Sequence, residues 1–119
     1  MSKKNKENYL TFIPMRIDTF SWEADDTELV TIYVKNNGVL QRITQKLLGK
    51  PKVSQIHLEK YGSFIWQQID GSRSVLDIAE LADRQFGEDI HPLYERICSY
   101  FKTLENSGFI KMKTPAATD

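Results

Sequence analysis

Residues 58–78, LEKYGSFIWQQIDGSRSVLDI, decide the fold. Leu58, Tyr61, Ile65 and Ile69 recur at spacings of three and four, which predicts one apolar face of a short helix. Gly62 lies one turn before Ile65 and Trp66, where the missing side chain lets another backbone come close. Asp70-Gly71 predicts the end of that helix, because glycine takes the left-handed conformation at a helix C-terminus without a Cβ penalty. Ser74-Val75-Leu76-Asp77 then reopens a helix, with Ser74 as N-cap and Asp77 in the first turn, near the positive end of the dipole. Two short helices with a tight turn between them open a helix-turn-helix or winged-helix unit.

Outward from this stretch the pattern is that of one α+β domain. Leu29–Lys35 is β-branched and aromatic and predicts a strand, followed by the turn signal Asn36-Asn37-Gly38. Val39, Ile43 and Leu47 recur every fourth residue and predict an amphipathic helix over 39–48, stopped by Gly49 and Pro51. Val53–Leu58 alternates and predicts a second strand. After Asp70-Gly71 a helix is expected from about Val75 to Phe86, closed by Gly87. Another follows from about Pro92, with Ile90, Leu93, Ile97, Phe101 and Leu104 as its stripe, up to Asn106-Ser107-Gly108. Phe109–Met112 predicts a final short strand. Tyr9–Trp22 mixes aromatic, aliphatic and polar residues around Pro14 and is expected as an extended arm, with an acidic loop at Glu23–Glu28. The expected fold is α+β and winged-helix-like: a small antiparallel sheet followed by a three-helix unit, with one extra amphipathic helix. Its expected divisions are a partly disordered arm (1–27), the winged-helix-like domain (28–113) and a tail (114–119).

Composition narrows the function. The chain has 119 residues, with 16 basic and 16 acidic ones. Balanced charge gives no support to a general nucleic-acid or membrane-surface role. Residues 1–60 carry ten Lys/Arg against seven Asp/Glu, and residues 61–119 carry six against nine. One cysteine, Cys98, excludes an internal disulfide and fits a reducing cytoplasm. No apolar run reaches the roughly 18 residues of a membrane span. No signal-peptide h-region follows the basic start.

No catalytic constellation emerges, and the chain is not expected to be an enzyme or to carry a cofactor. His57 and His91 are scattered, and one cysteine with two histidines makes no zinc set. Cys98 beside Ile97 suits a buried small residue better than a nucleophile. P-loop, dinucleotide and nucleophile-elbow motifs are all missing. A winged-helix DNA binder would need a basic recognition helix. The last helix offers Arg96 and Lys102 countered by Glu95 and Glu105, a poor match for phosphate.

Gly62-x-x-Ile65-Trp66-x-x-Ile69-Asp70-Gly71-x-x-Ser74-Val75-x-x-Ile78 resembles the signature of the PqqD family, named for coenzyme PQQ biosynthesis. Its fold is also called the RiPP recognition element. The likeness continues through Phe86, Phe101, Leu104 and Gly108-Phe109-Ile110, over roughly residues 53–113. The resemblance implies a non-catalytic peptide chaperone, and the cytoplasm is its expected location from the cysteine usage. It would capture a precursor's leader peptide as an added strand and present it to a modifying enzyme of radical-SAM type. The peptide edge would be Val53–Leu58, with Val53, Gln55, Ile56 and His57 as contacts. The groove wall would be Tyr94, Ile97, Cys98, Tyr100 and Phe101 of the last helix. Gly62, Trp66, Asp70 and Gly71 suit fold determinants better than contacts. The arm of residues 1–27 and the basic helix of 36–50 are additions to the minimal family pattern. Arg42, Lys46 and Lys50 form a basic stripe that offers a rival reading, a structural or regulatory protein-interaction face. Neither nucleic acid nor membrane is an expected partner, and dimerisation through the free strand is left open.

Overall fold

The computed structural model describes residues 9–35 and 53–115. The expected turn at 36–38, the amphipathic helix at 39–48 and the ends of the chain lie outside the described residues. The architecture is α+β, as the sequence predicts. Among the described residues, a helical turn at 9–11 leads into strands β1 (Ile13–Arg16), β2 (Ser21–Ala24), β3 (Val30–Lys35) and β4 (Val53–His57), three longer helices follow, and β5 (Ile110–Lys113) comes last. The helices are α1 (Lys60–Gln68), α2 (Val75–Phe86) and α3 (Leu93–Asn106), with a 3-10 turn at Gly87–Ile90 between the last two.

The strands form two antiparallel sheets, β2-β3-β4 and β1-β5. The segment expected as an extended arm therefore supplies a strand to each. In the three-stranded sheet Trp22 faces Ile32, and Ile32 faces Ile56. Strand residues alternate between faces, so these three share the face that carries the fully buried Ile32 and Val30. The opposite face is polar: the Tyr33 hydroxyl donates to Glu23 Oε2 at 2.7 Å.

In the two-stranded sheet Ile17 N–H donates to Phe109 O just beyond the paired residues, and Arg16 faces Ile110. The alternation turns the N–H groups of Ile13, Met15 and Ile17 toward β5. It puts Pro14, which has none to offer, on the outward side, where proline is tolerated.

The helices end where local chemistry says. Ser74 caps α2 by accepting Asp77 N–H at 3.0 Å, while Asp77 accepts Ser74 N–H at 3.0 Å, a reciprocal capping box. Helix α1 stops slightly earlier than expected, at Gln68. Asp70 then folds the turn by accepting the N–H groups of Ser72 and Arg73 at 2.9 and 2.8 Å. Those two donors hold its carboxyl below the usual range. Gly71, at φ 82°, supplies the left-handed step.

Apolar stripes of all three helices meet the sheet in one core. Trp66, Ile78, Ile97, Phe101 and Ile32 are each at most 1% exposed. Around Trp66 the rings stack edge to face, with Trp22 at 6.2 Å and Phe109 at 6.5 Å. Arg16 completes this cluster. Its guanidinium lies 4.9 Å from the Trp22 ring and 5.8 Å from the Trp66 ring. It also donates to Trp66 O at 2.8 Å, near the negative end of α1.

The sheet is tied to α1 by one buried side chain, Ser63, which is 1% exposed. Its hydroxyl accepts Val30 N–H at 2.8 Å and donates to Leu58 O at 3.1 Å. Leu58 N–H in turn donates to Val30 O at 2.9 Å, closing a ring of three bonds among β3, the end of β4 and α1. Ser63→Ala is expected to leave the Val30 donor buried and unmatched, destabilising the protein by about 1–3 kcal/mol in urea denaturation. An alanine variant as stable as wild type would show that the link contributes nothing.

Candidate functional site

Strand β4 pairs with β3 on one side and has no strand neighbour on the other among the described residues. The bond from Leu58 N–H to Val30 O fixes which groups face out. In an antiparallel ladder alternate residues point the same way, so Leu58, Ile56 and Ser54 turn their amides and carbonyls to β3. Those of Val53, Gln55 and His57 point to the outer edge. Ile56 is on the core-facing side of the sheet yet 37% exposed, because nothing described lies over it at that edge.

A groove of about 670 Å³ opens where β4 runs into α1 and both face α3. One wall is formed by His57, Leu58, Glu59, Tyr61 and Gly62, the other by Pro92, Glu95, Arg96, Ser99, Tyr100 and Thr103. Ile65, Ile90 and Ile97 stand behind these walls and are nearly shut off, at 3%, 1% and 0% exposure. His57 is steadied at the mouth by a 3.0 Å hydrogen bond between its Nδ1 and the Thr31 hydroxyl.

Gly62 and Tyr100 bring α1 and α3 into contact. The Tyr100 hydroxyl donates to Gly62 O at 3.1 Å. A Cβ on residue 62 would sit 2.8 Å from Tyr100 Oη and 3.0 Å from its Cζ. The partner that needs the glycine is thus a phenol ring, where the sequence suggested a backbone. Burial pushes the Tyr100 phenol above its ordinary range, so it remains a donor at any physiological pH.

The residues singled out in the sequence do not all come together. His57, Ile97 and Tyr100 come together in the groove, and Gln55 and Ile56 lie just before it along β4. Val53 begins the same strand. Phe101 is fully buried in the core, with no surface to offer. Tyr94 and Cys98 are on the far flank of α3. Each helical residue turns about 100°, so the core line Leu93, Ile97, Phe101, Leu104 separates two flanks. Arg96, Tyr100 and Thr103 fall on the groove side. Tyr94, Cys98 and Lys102 fall on the other, where Lys102 Nζ lies 5.3 Å from the Tyr9 ring. Tyr94 is the more exposed of the two tyrosines, at 46%. Arg42, Lys46 and Lys50 lie outside the described residues. Arg96, Thr103 and Tyr61 were missed as lining residues. Arg96 and Thr103 are spaced around Tyr100 by four and three, the one signal that points to them.

Among the described residues no three His, Cys, Asp or Glu side chains are grouped to hold a metal ion, and no helix is long and apolar enough to cross a membrane.

The Gly62–Tyr100 contact carries a stability prediction. Overpacking costs typically ~1–3 kcal/mol and a lost hydrogen bond ~1, against ~1 gained from replacing glycine in a helix. Gly62→Ala should therefore lose about 1–3 kcal/mol in urea denaturation. Tyr100→Phe should cost less in the Gly62→Ala background than in wild type, because the hydroxyl is the colliding atom. Additive effects of the two changes would show that the contact is not tight.

A family model described as "Coenzyme PQQ synthesis protein D (PqqD)" matches residues 32–110. No curated protein and no solved structure matched in the other two comparisons. The family match runs from β3 to the first residue of β5, so it takes in the free-edged strand, all three helices and both walls of the groove. By that match over most of its length, the chain belongs to the PqqD family.

Proposed function

We propose that this protein is a non-catalytic adaptor that captures the leader part of a ribosomal precursor peptide as a strand added to β4. It then presents that peptide to a modifying enzyme, which the family resemblance suggests is of radical-SAM type. The observation that supports this most is the outward set of Gln55 and His57 backbone groups beside an apolar groove. An extended peptide satisfies such an edge with its own backbone, and alternate side chains drop toward the neighbouring helix. Affinity then comes largely from main-chain hydrogen bonds and selectivity from the groove. Catalysis belongs to the partner enzyme. The adaptor contributes local concentration and orientation of the substrate segment.

The edge assignment gives a direct test. Proline at Gln55 removes an outward N–H that β3 does not use, whereas proline at Ile56 removes one that bonds to β3. Gln55→Pro should leave the protein folded by circular dichroism and weaken peptide retention by about tenfold, the worth of one backbone bond. Ile56→Pro should instead destabilise the fold. The readout is a pull-down from native lysate with mass spectrometry of the retained short peptides. A folded Gln55→Pro protein that retains the same peptides as wild type would rule out strand addition along this edge.

A further inference from the structure

We infer that Tyr100 sets the size of side chain that the groove accepts, a reading that rests on strand capture at β4. The lining has two layers. Its outer layer is the partly buried set Leu58, Tyr61, Gly62 and Tyr100; its inner layer is Ile65, Ile90 and Ile97, each at most 3% exposed. An incoming side chain meets the Tyr100 ring before it meets the isoleucines.

The ring is held at both ends. Its backbone is part of α3, and its hydroxyl is bonded to Gly62 O at 3.1 Å. The absent Cβ of Gly62 is what lets the ring lie against α1 at all. A fixed ring is a floor that does not yield, so an incoming side chain cannot gain depth by displacing it, and short aliphatic side chains are the expected fit at that point of the groove. Removing the ring uncovers Ile65 and Ile97 and deepens the groove into an apolar pocket. Tyr100 then sets specificity by exclusion: its contribution is the volume it denies rather than a contact it makes.

The test uses the purified full-length chain and a phage-displayed random heptamer library. Wild type should enrich peptides with valine, leucine or alanine at one groove-facing position. Tyr100→Ala should shift that position to phenylalanine or tryptophan and leave the others alone. Synthetic peptides differing only there should show a preference of about tenfold for leucine over tryptophan in wild type, reversed in the variant. Tyr100→Leu serves as a second, better-packed variant, and circular dichroism reports folding for both. A folded variant that enriches the wild-type consensus at every position overturns the inference and leaves strand capture standing. So does a wild-type consensus that already carries an aromatic residue at the groove position. If neither variant folds, Tyr100 is a core residue and the inference falls. If wild type enriches no peptide, strand capture itself is overturned, and the inference with it.

Discussion

The Ser63 hydroxyl is the interaction on which the rest of this structure depends. It stands where a three-stranded sheet, the end of β4 and the start of α1 must agree on a position, and it bonds to two of the backbones involved. Val30 sits at the start of β3 and is buried, so its N–H cannot turn to water. With no further strand residue to accept it, the hydroxyl of a helix residue does so. The same atom fixes the carbonyl of Leu58, the residue at which β4 turns into α1. The angle between strand edge and helix is thereby set, and the groove is the space that this angle leaves beside α3. A polar atom in an apolar core carries a desolvation cost, but here both of its hydrogen-bonding capacities are filled.

A second constraint works from the opposite end of α1. Arg16 lies between two indole rings and reaches the last-turn carbonyl of Trp66. Burial lowers its pKa from the ordinary arginine value, and the nearby Asp70 and Asp18 oppose that shift; the group stays cationic. Through it, β1 and β2 are bound to the helix that carries the groove. Residues 13–24 are thus packed onto the core through Arg16 and Trp22. Phe20 against Phe109 at 5.0 Å and Phe12 O accepting Val75 N–H extend the same attachment to β5 and α2.

What was legible in the sequence is what short-range chemistry dictates. Ser74 and Asp77 are three apart and cap each other wherever the helix packs, and the stripe through Ile97, Phe101 and Leu104 needs only the 3.6-residue period. Strands β3 and β4 alternate strongly enough to be read. Strands β1 and β2 do not: each has four residues, β1 contains a proline, and β1 pairs with β5 at the other end of the chain. The groove was half legible. A stripe on a helix has two flanks, and sequence treats Tyr94 and Tyr100 alike. Only the placement of β4 decides that Tyr100 faces the groove and Tyr94 the solvent. Ser63 was invisible for a related reason: a serine inside an apolar face has no local pattern announcing that a strand residue thirty-three positions earlier needs an acceptor.

Pro14 has one more consequence, which concerns the company this molecule keeps. An unpaired strand invites any passing strand, wanted or not. Strand β1 offers a proline at its rim, Lys111 and Lys113 stud β5, and β2 is four residues long and carries Glu23. Each rim is poor material for a stranger to zip onto. Ser54 to His57 of β4 holds neither a proline nor a formally charged acid or lysine. Among the described residues, three rims are guarded and the β4 rim is not. Among the described rims, β4 is thus the one that offers an extended chain the least resistance.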